Sequence, residues 1–182
     1  MVYPVPPRVY EGEAPREASA EVVPLVWRCP LSKGNRYRIY DAEADSGITD
    51  LWATPEGMQA WMDWVGTTKF WKENSSVRHI KVKYPIVGPM SGAFKFTDEG
   101  ERRVAEISFG AFSLCLMTAV HELTHLTKNL YREGVTNEQD HGPAFASMEL
   151  RMVRRYMSAK EAVLLEKAFD RHKVKFDANW NV

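Results

Sequence analysis

His121-Glu122-Leu123-Thr124-His125 is the stretch of sequence that decides the fold and the candidate site. It lies within an apolar segment that has helical periodicity, and side chains four residues apart lie on one face of a helix. His121 and His125 can therefore bind one metal ion together, while Glu122 reaches the neighbouring sector of the helix. The alternative interpretation is a half-buried helix on which both histidines are satisfied without a metal.

The residues on both sides of this motif predict a long buried helix. Apolar side chains recur before and after it, and no proline or glycine occurs between positions 111 and 133. Ser113 is a suitable N-cap, and Gly134 is a suitable residue for the C-terminal end. The pattern predicts a helix of about 20 residues with the motif near its middle.

The third metal ligand is less tightly specified than the first two. A catalytic zinc site usually has three protein ligands and an open fourth position. His141 fits best, because it precedes Gly142-Pro143 and proline suits the first turn of a helix, so a loop end and a helix start would fix its direction. Other possibilities remain: a His141 that only caps this helix, or a carboxylate ligand from among Glu138, Asp140 and Glu149.

The spacing of the histidines and the types of donor atom limit which class of metallopeptidase and which metal the site can represent. The metzincin pattern requires glycine at position 128 and histidine at 131, where this chain has Lys128 and Tyr131, so that class is excluded. Three neutral imidazoles favour Zn²⁺ over iron, whose usual triad contains a carboxylate. They also leave the zinc its full charge, which lowers the pKa of bound water and polarises a carbonyl. Glu122 is placed to accept the proton of that water and pass it to a leaving amine.

The two histidine motifs resemble those of the SprT/Spartan-type zinc metallopeptidases, which pair His-Glu-x-x-His with a later His-Gly-x-x-Phe, here 141–145. The chain is more similar still to a family of uncharacterised metallohydrolases of actinobacteria and their phages, which shares its length and an early strand like Tyr40-Asp41-Ala42-Glu43. The resemblance covers about residues 36–157. It implies a zincin-like α+β fold with a small antiparallel or mixed sheet. It also implies that the ligands of Zn²⁺ are His121, His125 and His141 and that Glu122 is the catalytic base.

The same resemblance implies a peptidase, with a protein or peptide as its substrate. In such enzymes an edge strand above the zinc pairs with an extended substrate through its backbone. The candidate strand lies within residues 93–109. Two other functions fit the residues: a non-catalytic zinc-stabilised interaction module, which would not need a glutamate at position 122, and a metal-dependent hydrolase of a non-peptide amide.

Composition sets the broad class of protein. The chain has 182 residues, enough for one domain, and 24 basic and 24 acidic residues give zero formal net charge, which disfavours nucleic acid as a partner. No apolar stretch reaches transmembrane length and no signal pattern is present, so a membrane is not expected. Cys29 and Cys115 form no metal-binding motif, and a reducing cytoplasm is a simpler interpretation than a disulfide between them.

The chain divides into an arm and a domain. Residues 1–24 contain five of the ten prolines and predict a flexible arm, and residues 25–182 predict a single metallohydrolase domain. Alternation predicts strands at 36–40, at 79–84, and in a hairpin of 94–96 with 105–109 that leads into the motif helix.

Further helices are predicted around the motif helix. One begins at Thr54-Pro55 and buries Met58, Trp61, Met62 and Val65, with its tryptophans packed against the motif helix. Another runs over about 143–157, and a capping box at Ser158–Glu161 opens a last helix that ends near 170. We expect His79, which lies on the solvent-exposed face of its strand, to be a structural residue. We expect the same of His172, which lies beyond the last helix.

Overall fold

The computed structural model describes residues 34–48, 53–86, 93–99, 102–110, 113–127, 141–177 and 179. This part of the chain is a mixed α+β structure, as the sequence predicts. Its helices are α1 (Asn35–Ala44), α2 (Pro55–Thr67), α3 (Lys69–Asn74), α4 (Leu116–His125), α5 (Pro143–Tyr156) and α6 (Ala159–His172). Its strands are β1 (His79–Ile86), β2 (Ala93–Glu99) and β3 (Arg102–Gly110). The predicted arm, Cys29, Glu138 and Asp140 lie outside the described residues.

The three described strands form one small mixed sheet in the order β1-β3-β2. β2 and β3 pair antiparallel as the predicted hairpin, and β1 pairs parallel with β3. The alternation predicted for β1 is confirmed, because Ile80 is buried whereas His79 and Lys81 are exposed. β3 leads into the segment before α4, so the sheet positions the helix that carries the histidine pair.

The strand predicted for 36–40, and the strand that the family resemblance implies for 40–43, are wrong. These residues form α1. Ile39 and Ala42, three positions apart, are fully buried, which is the spacing of one helix face rather than of a strand. Arg36 Nε also donates to the hydroxyl of Tyr40 four residues later, a contact that helical geometry makes possible. The alternation of five residues was too short to reveal this period.

The motif helix is shorter than predicted, and the motif lies in its C-terminal half. α4 begins after Cys115, and Ser113 does not cap it but donates to the carbonyl of Gly110. Contacts from distant segments hold both ends: Ala53 N–H donates to the carbonyl of Leu114, and Ser75 Oγ donates to that of Leu126. These tertiary bonds outweigh the local helical pattern. Gly134, the predicted end, lies outside the described residues.

The predicted start and buried face of α2 are confirmed. The side chain of Thr54 accepts a hydrogen bond from the N–H of Gly57, and the buried residues of the helix are Met58, Trp61, Met62 and Val65. The prediction that the tryptophans of α2 pack against the motif helix is corrected in part. Trp61 and Trp64 both contact the ring of Tyr156 in α5 edge-on, so the tryptophans of α2 pack on the helix behind the motif helix.

The last two helices begin where the sequence predicts. Ser158 caps α6 by accepting a hydrogen bond from the N–H of Glu161 at 3.1 Å. α6 extends to His172, slightly beyond the predicted end, and its C-cap Lys173 has a left-handed conformation with φ of 56°. His172, which was expected beyond this helix, is its last residue, and its Nε2 lies 2.9 Å from Asp45 Oδ2.

The core lies between the sheet and the helices. Its largest fully buried side chains come from several elements and include Trp71, Phe109, Phe145 and Phe169. Cys115 is buried, and its Sγ lies 3.2 Å from Oγ1 of Thr118. Among the helices of the described residues, none combines the length and the apolar character that crossing a membrane would require.

Replacement of Ser158 by Ala should lower the free energy of unfolding by about 1 kcal/mol, because the N–H of Glu161 loses its acceptor. Urea denaturation measures the change. Ser158→Asp, which keeps a capping oxygen, should restore most of the loss. Equal stability of the Ala variant and the wild type would contradict the capping role.

Candidate metal centre

Three histidines from two segments meet in the interior of the protein. His121 and His125 come from α4, and His141 stands at the start of the turn into α5; all three are buried. One ring nitrogen from each lies within 4.8 Å of the others, and the Nε2 atoms of His121 and His141 are 3.2 Å apart. The sequence therefore predicted correctly which three histidines are close to each other.

Neighbouring residues contact both the backbone and the ring of His141. Asn35 Nδ2 of α1 donates to the carbonyl oxygen of His141 at 2.6 Å, which holds the backbone at the entry to α5. Pro143 occupies the first turn of α5, as expected from its fixed φ. Phe145 lies beneath the cluster, with its ring centroid 4.6–4.9 Å from the centroids of all three imidazoles.

The geometry of the cluster fits a metal ion. Two nitrogen ligands of a tetrahedral zinc ion, each about 2.05 Å from the metal, are about 3.3 Å apart. The Nε2 atoms of His121 and His141 are 3.2 Å apart. The third ring, that of His125, lies close to both others, with its centroid 4.6 Å from that of His141 and 5.1 Å from that of His121. Three imidazole nitrogens that converge in this way can hold a metal ion.

Glu43 is a site residue that the sequence interpretation missed. Its Oε1 lies 2.6 Å from Nδ1 of His121, on the opposite edge of the ring from the nitrogen that faces His141. A carboxylate at this position holds the proton on Nδ1 and leaves Nε2 to face a metal. The signal that could have found it is the helical spacing of Tyr40 and Glu43, which places both on one face of α1.

Glu149 lies beside His121, but not with the three converging nitrogens. Its Oε1 is 3.3 Å from Nδ1 of His121, the nitrogen already bonded to Glu43. The side chain is fully buried, and neither oxygen accepts a hydrogen bond of good geometry. His121 therefore belongs to two groups of possible metal ligands. One group contains His121, His125 and His141, and the other contains His121, Glu43 and Glu149.

The buried ionisable groups around His121 shift each other's pKa values. Burial opposes the charged form of His121, but the charge and hydrogen bond of Glu43, together with the nearby carboxyl group of Glu149, outweigh it and hold the pKa of His121 well above its usual range. Burial likewise opposes the charge of Glu43, but His121 lowers its pKa. Burial and the charge of Glu43 raise the pKa of Glu149 well above its usual range. The two carboxyl groups that flank His121 thus differ, with the pKa of Glu43 lowered and that of Glu149 raised.

The other two motif residues have different environments. Burial, together with the charges of His121 and His141, lowers the pKa of His125 to about 2, so its imidazole is neutral, which is the form that binds a metal ion. Burial raises the pKa of Glu122, which is 6% exposed. A glutamate with a raised pKa is a stronger base than one in water, as a proton acceptor requires.

Comparison with models of known protein families, with characterised proteins and with solved structures finds no match for this chain. The assignment of the centre therefore depends on the geometry of its residues.

Replacement of a ligand should remove the metal, because two imidazoles without a third hold zinc weakly. We expect His121→Ala, His125→Ala and His141→Ala to abolish or strongly weaken zinc binding in protein purified without added metal. Inductively coupled plasma mass spectrometry measures the metal content, and competition with a chromophoric chelator measures the affinity. His79→Ala, on an exposed strand position, is the matched control and should retain the metal.

Two carboxyl variants separate the supporting residues from the ligands. Glu43→Gln should weaken zinc binding by about 10- to 100-fold, the usual cost of removing a group that orients a ligand. Glu149→Gln should retain the metal, because its oxygens face Nδ1 rather than Nε2 of His121. A greater loss from Glu149→Gln than from His141→Ala would show that Glu149 is the third ligand.

Proposed function

We propose that this protein is a zinc-dependent hydrolase, and specifically a metallopeptidase. The observation that carries the proposal is the buried cluster of His121, His125 and His141 with Glu122 next to His121 on α4. Imidazole donors suit zinc, and a set of three leaves room for an exchangeable fourth ligand, which is the arrangement of catalytic rather than structural zinc. The small mixed sheet, the motif helix and the helices behind it support a zincin-like fold.

Different residues of the chain have different roles in the proposed hydrolysis. Zinc, when bound, supplies a Lewis acid that makes water acidic and polarises a carbonyl group. Glu122 accepts a proton from the attacking water and then donates it to the leaving amine. Its buried surroundings, which raise its pKa, favour the first of these steps. Glu43 holds His121 in the orientation in which Nε2 faces His141.

The sheet supports a peptide as the substrate. β2 lies at one edge of the sheet, paired on one side with β3, and within the described residues no strand pairs with its other side. An extended peptide can add to such an edge through backbone hydrogen bonds, which tolerate many side chains. β3, the neighbour of β2, leads towards α4 and the histidines. We therefore propose Ala93–Glu99 as the strand that binds the substrate.

Replacement of Glu122 by Gln tests this function. The amide keeps the size of the side chain but cannot accept the proton, so hydrolysis should fall by at least about 10²- to 10⁴-fold while zinc content and folding are retained. Cleavage of fluorescently labelled unfolded casein, and of mixed peptides by mass spectrometry, measures the activity.

Glu56→Gln is the matched control, since Glu56 is exposed in the first turn of α2 and should not affect cleavage. A Glu122→Gln variant with full activity would refute the mechanism. A wild type that binds zinc but cuts no peptide, while it binds a protein partner as well as the variant does, would favour the non-catalytic module.

A further inference from the structure

We propose that Tyr40 is a catalytic residue, whose hydroxyl, supported by Arg36, donates a hydrogen bond to the negative oxygen that develops on the substrate. This inference depends on the proposed hydrolase function and assigns one more group to the same site. Hydrolysis of an amide passes through a tetrahedral state with a negatively charged oxygen, and a donor aimed at that oxygen accelerates the reaction. None of the motif residues on α4 is assigned to this task.

The position of Tyr40 suits this role. Its hydroxyl lies 3.3 Å from Nε2 of His141, on the edge of that ring that also faces His121. Its ring is 5.3 Å from that of His121 and 5.4 Å from that of His141, measured between centroids. Tyr40 is also 36% exposed, although the three histidines are buried. Tyr40 thus combines a solvent-exposed surface with a hydroxyl that reaches the cluster.

Arg36 strengthens the hydroxyl as a donor. Arg36 Nε donates to the Tyr40 oxygen at 3.3 Å, and the guanidinium lies 5.5 Å from the centre of the Tyr40 ring. A cationic donor that bonds to a phenol oxygen polarises the O–H group, so that its own hydrogen bond becomes stronger. The cation also favours negative charge nearby. Tyr40 and Arg36 thus form a donor pair on one face of α1.

Metal binding would direct the hydroxyl of Tyr40 towards the substrate. A metal ion held by His141 would use the lone pair of its Nε2, so His141 could no longer accept a hydrogen bond from Tyr40. Because the phenol oxygen accepts from Arg36, its proton would then be available to the oxygen of a bound substrate. The buried Tyr156 offers a contrast, since its hydroxyl is paired with that of Thr68 at 2.8 Å and serves packing.

The first experiment measures oxyanion binding without any catalysis. The protein is loaded with Co²⁺, and inorganic phosphate, a tetrahedral anion, is titrated while the visible spectrum of the metal is recorded. Tyr40→Phe should weaken phosphate binding by about 10- to 100-fold, the value of one hydrogen bond to a charged group. Tyr37→Phe is the matched control, because Tyr37 lies on the same helix, is 40% exposed and also contacts the guanidinium of Arg36.

The second experiment measures the reaction itself on labelled unfolded casein. Tyr40→Phe should lower kcat by about 10²- to 10³-fold with little change in KM, because the lost bond forms in the transition state. Arg36→Gln should lower kcat in the same direction, and Tyr37→Phe should leave it unchanged. Zinc affinity, measured in parallel, should stay within about threefold of the wild type for Tyr40→Phe.

The outcomes separate this inference from the proposed function. An active wild type with unchanged kcat and phosphate affinity in Tyr40→Phe would overturn the role of Tyr40 and leave the hydrolase intact. An inactive wild type whose phosphate binding still depends on Tyr40 would contradict the peptidase and support the oxyanion donor. Loss of zinc from Tyr40→Phe would show that the hydroxyl only supports His141 and would also overturn the inference.

Discussion

The contact between Glu43 and His121 joins α1 to α4, and the candidate metal centre depends on it. A carboxylate and an imidazole removed from water are costly unless they are paired, and here the two groups meet at 2.6 Å. The pair sets the proton on Nδ1 and so directs Nε2 towards His141. Without this bond the ring of His121 would lose the partner that sets its tautomer and orientation, and a metal would bind more weakly.

The rest of the described structure holds this arrangement in place. α1 supplies Glu43 and Tyr40, and Asn35 from the same helix holds the carbonyl of His141. α5 supplies Phe145, which contacts all three imidazoles, and the fully buried Glu149. The centre is therefore shared by three helices that are far apart in sequence, which explains why its supporting residues are not visible as one motif.

The sequence predicted the elements whose signals are local. Thr54-Pro55, Gly142-Pro143 and Ser158–Glu161 mark helix starts through bonds within one turn, and each helix begins where expected. The hairpin of β2 and β3 and the convergence of the three histidines were also predicted. The pairing of the two α4 histidines could be predicted from the period of a helix alone. The position of His141 could be predicted from the turn before Pro143.

The errors arose where distant segments decide the structure. α1 was predicted as a strand, because five alternating residues carry no clear period and its burial against α6 is set by the tertiary fold. α4 is shorter than its apolar pattern, because Ala53 and Ser75 bond to the backbone at its two ends. Glu43 was missed for the same reason, since its role depends on the helix that was not recognised.

Anomalous diffraction at the zinc edge, from crystals of protein purified without added metal, tests the central claim most directly. We expect one strong peak about 2.0–2.1 Å from a nitrogen of each of His121, His125 and His141, with a non-protein fourth ligand. A peak between Glu43 and Glu149 on the Nδ1 side of His121, or no peak near the three histidines in zinc-loaded protein, would contradict it.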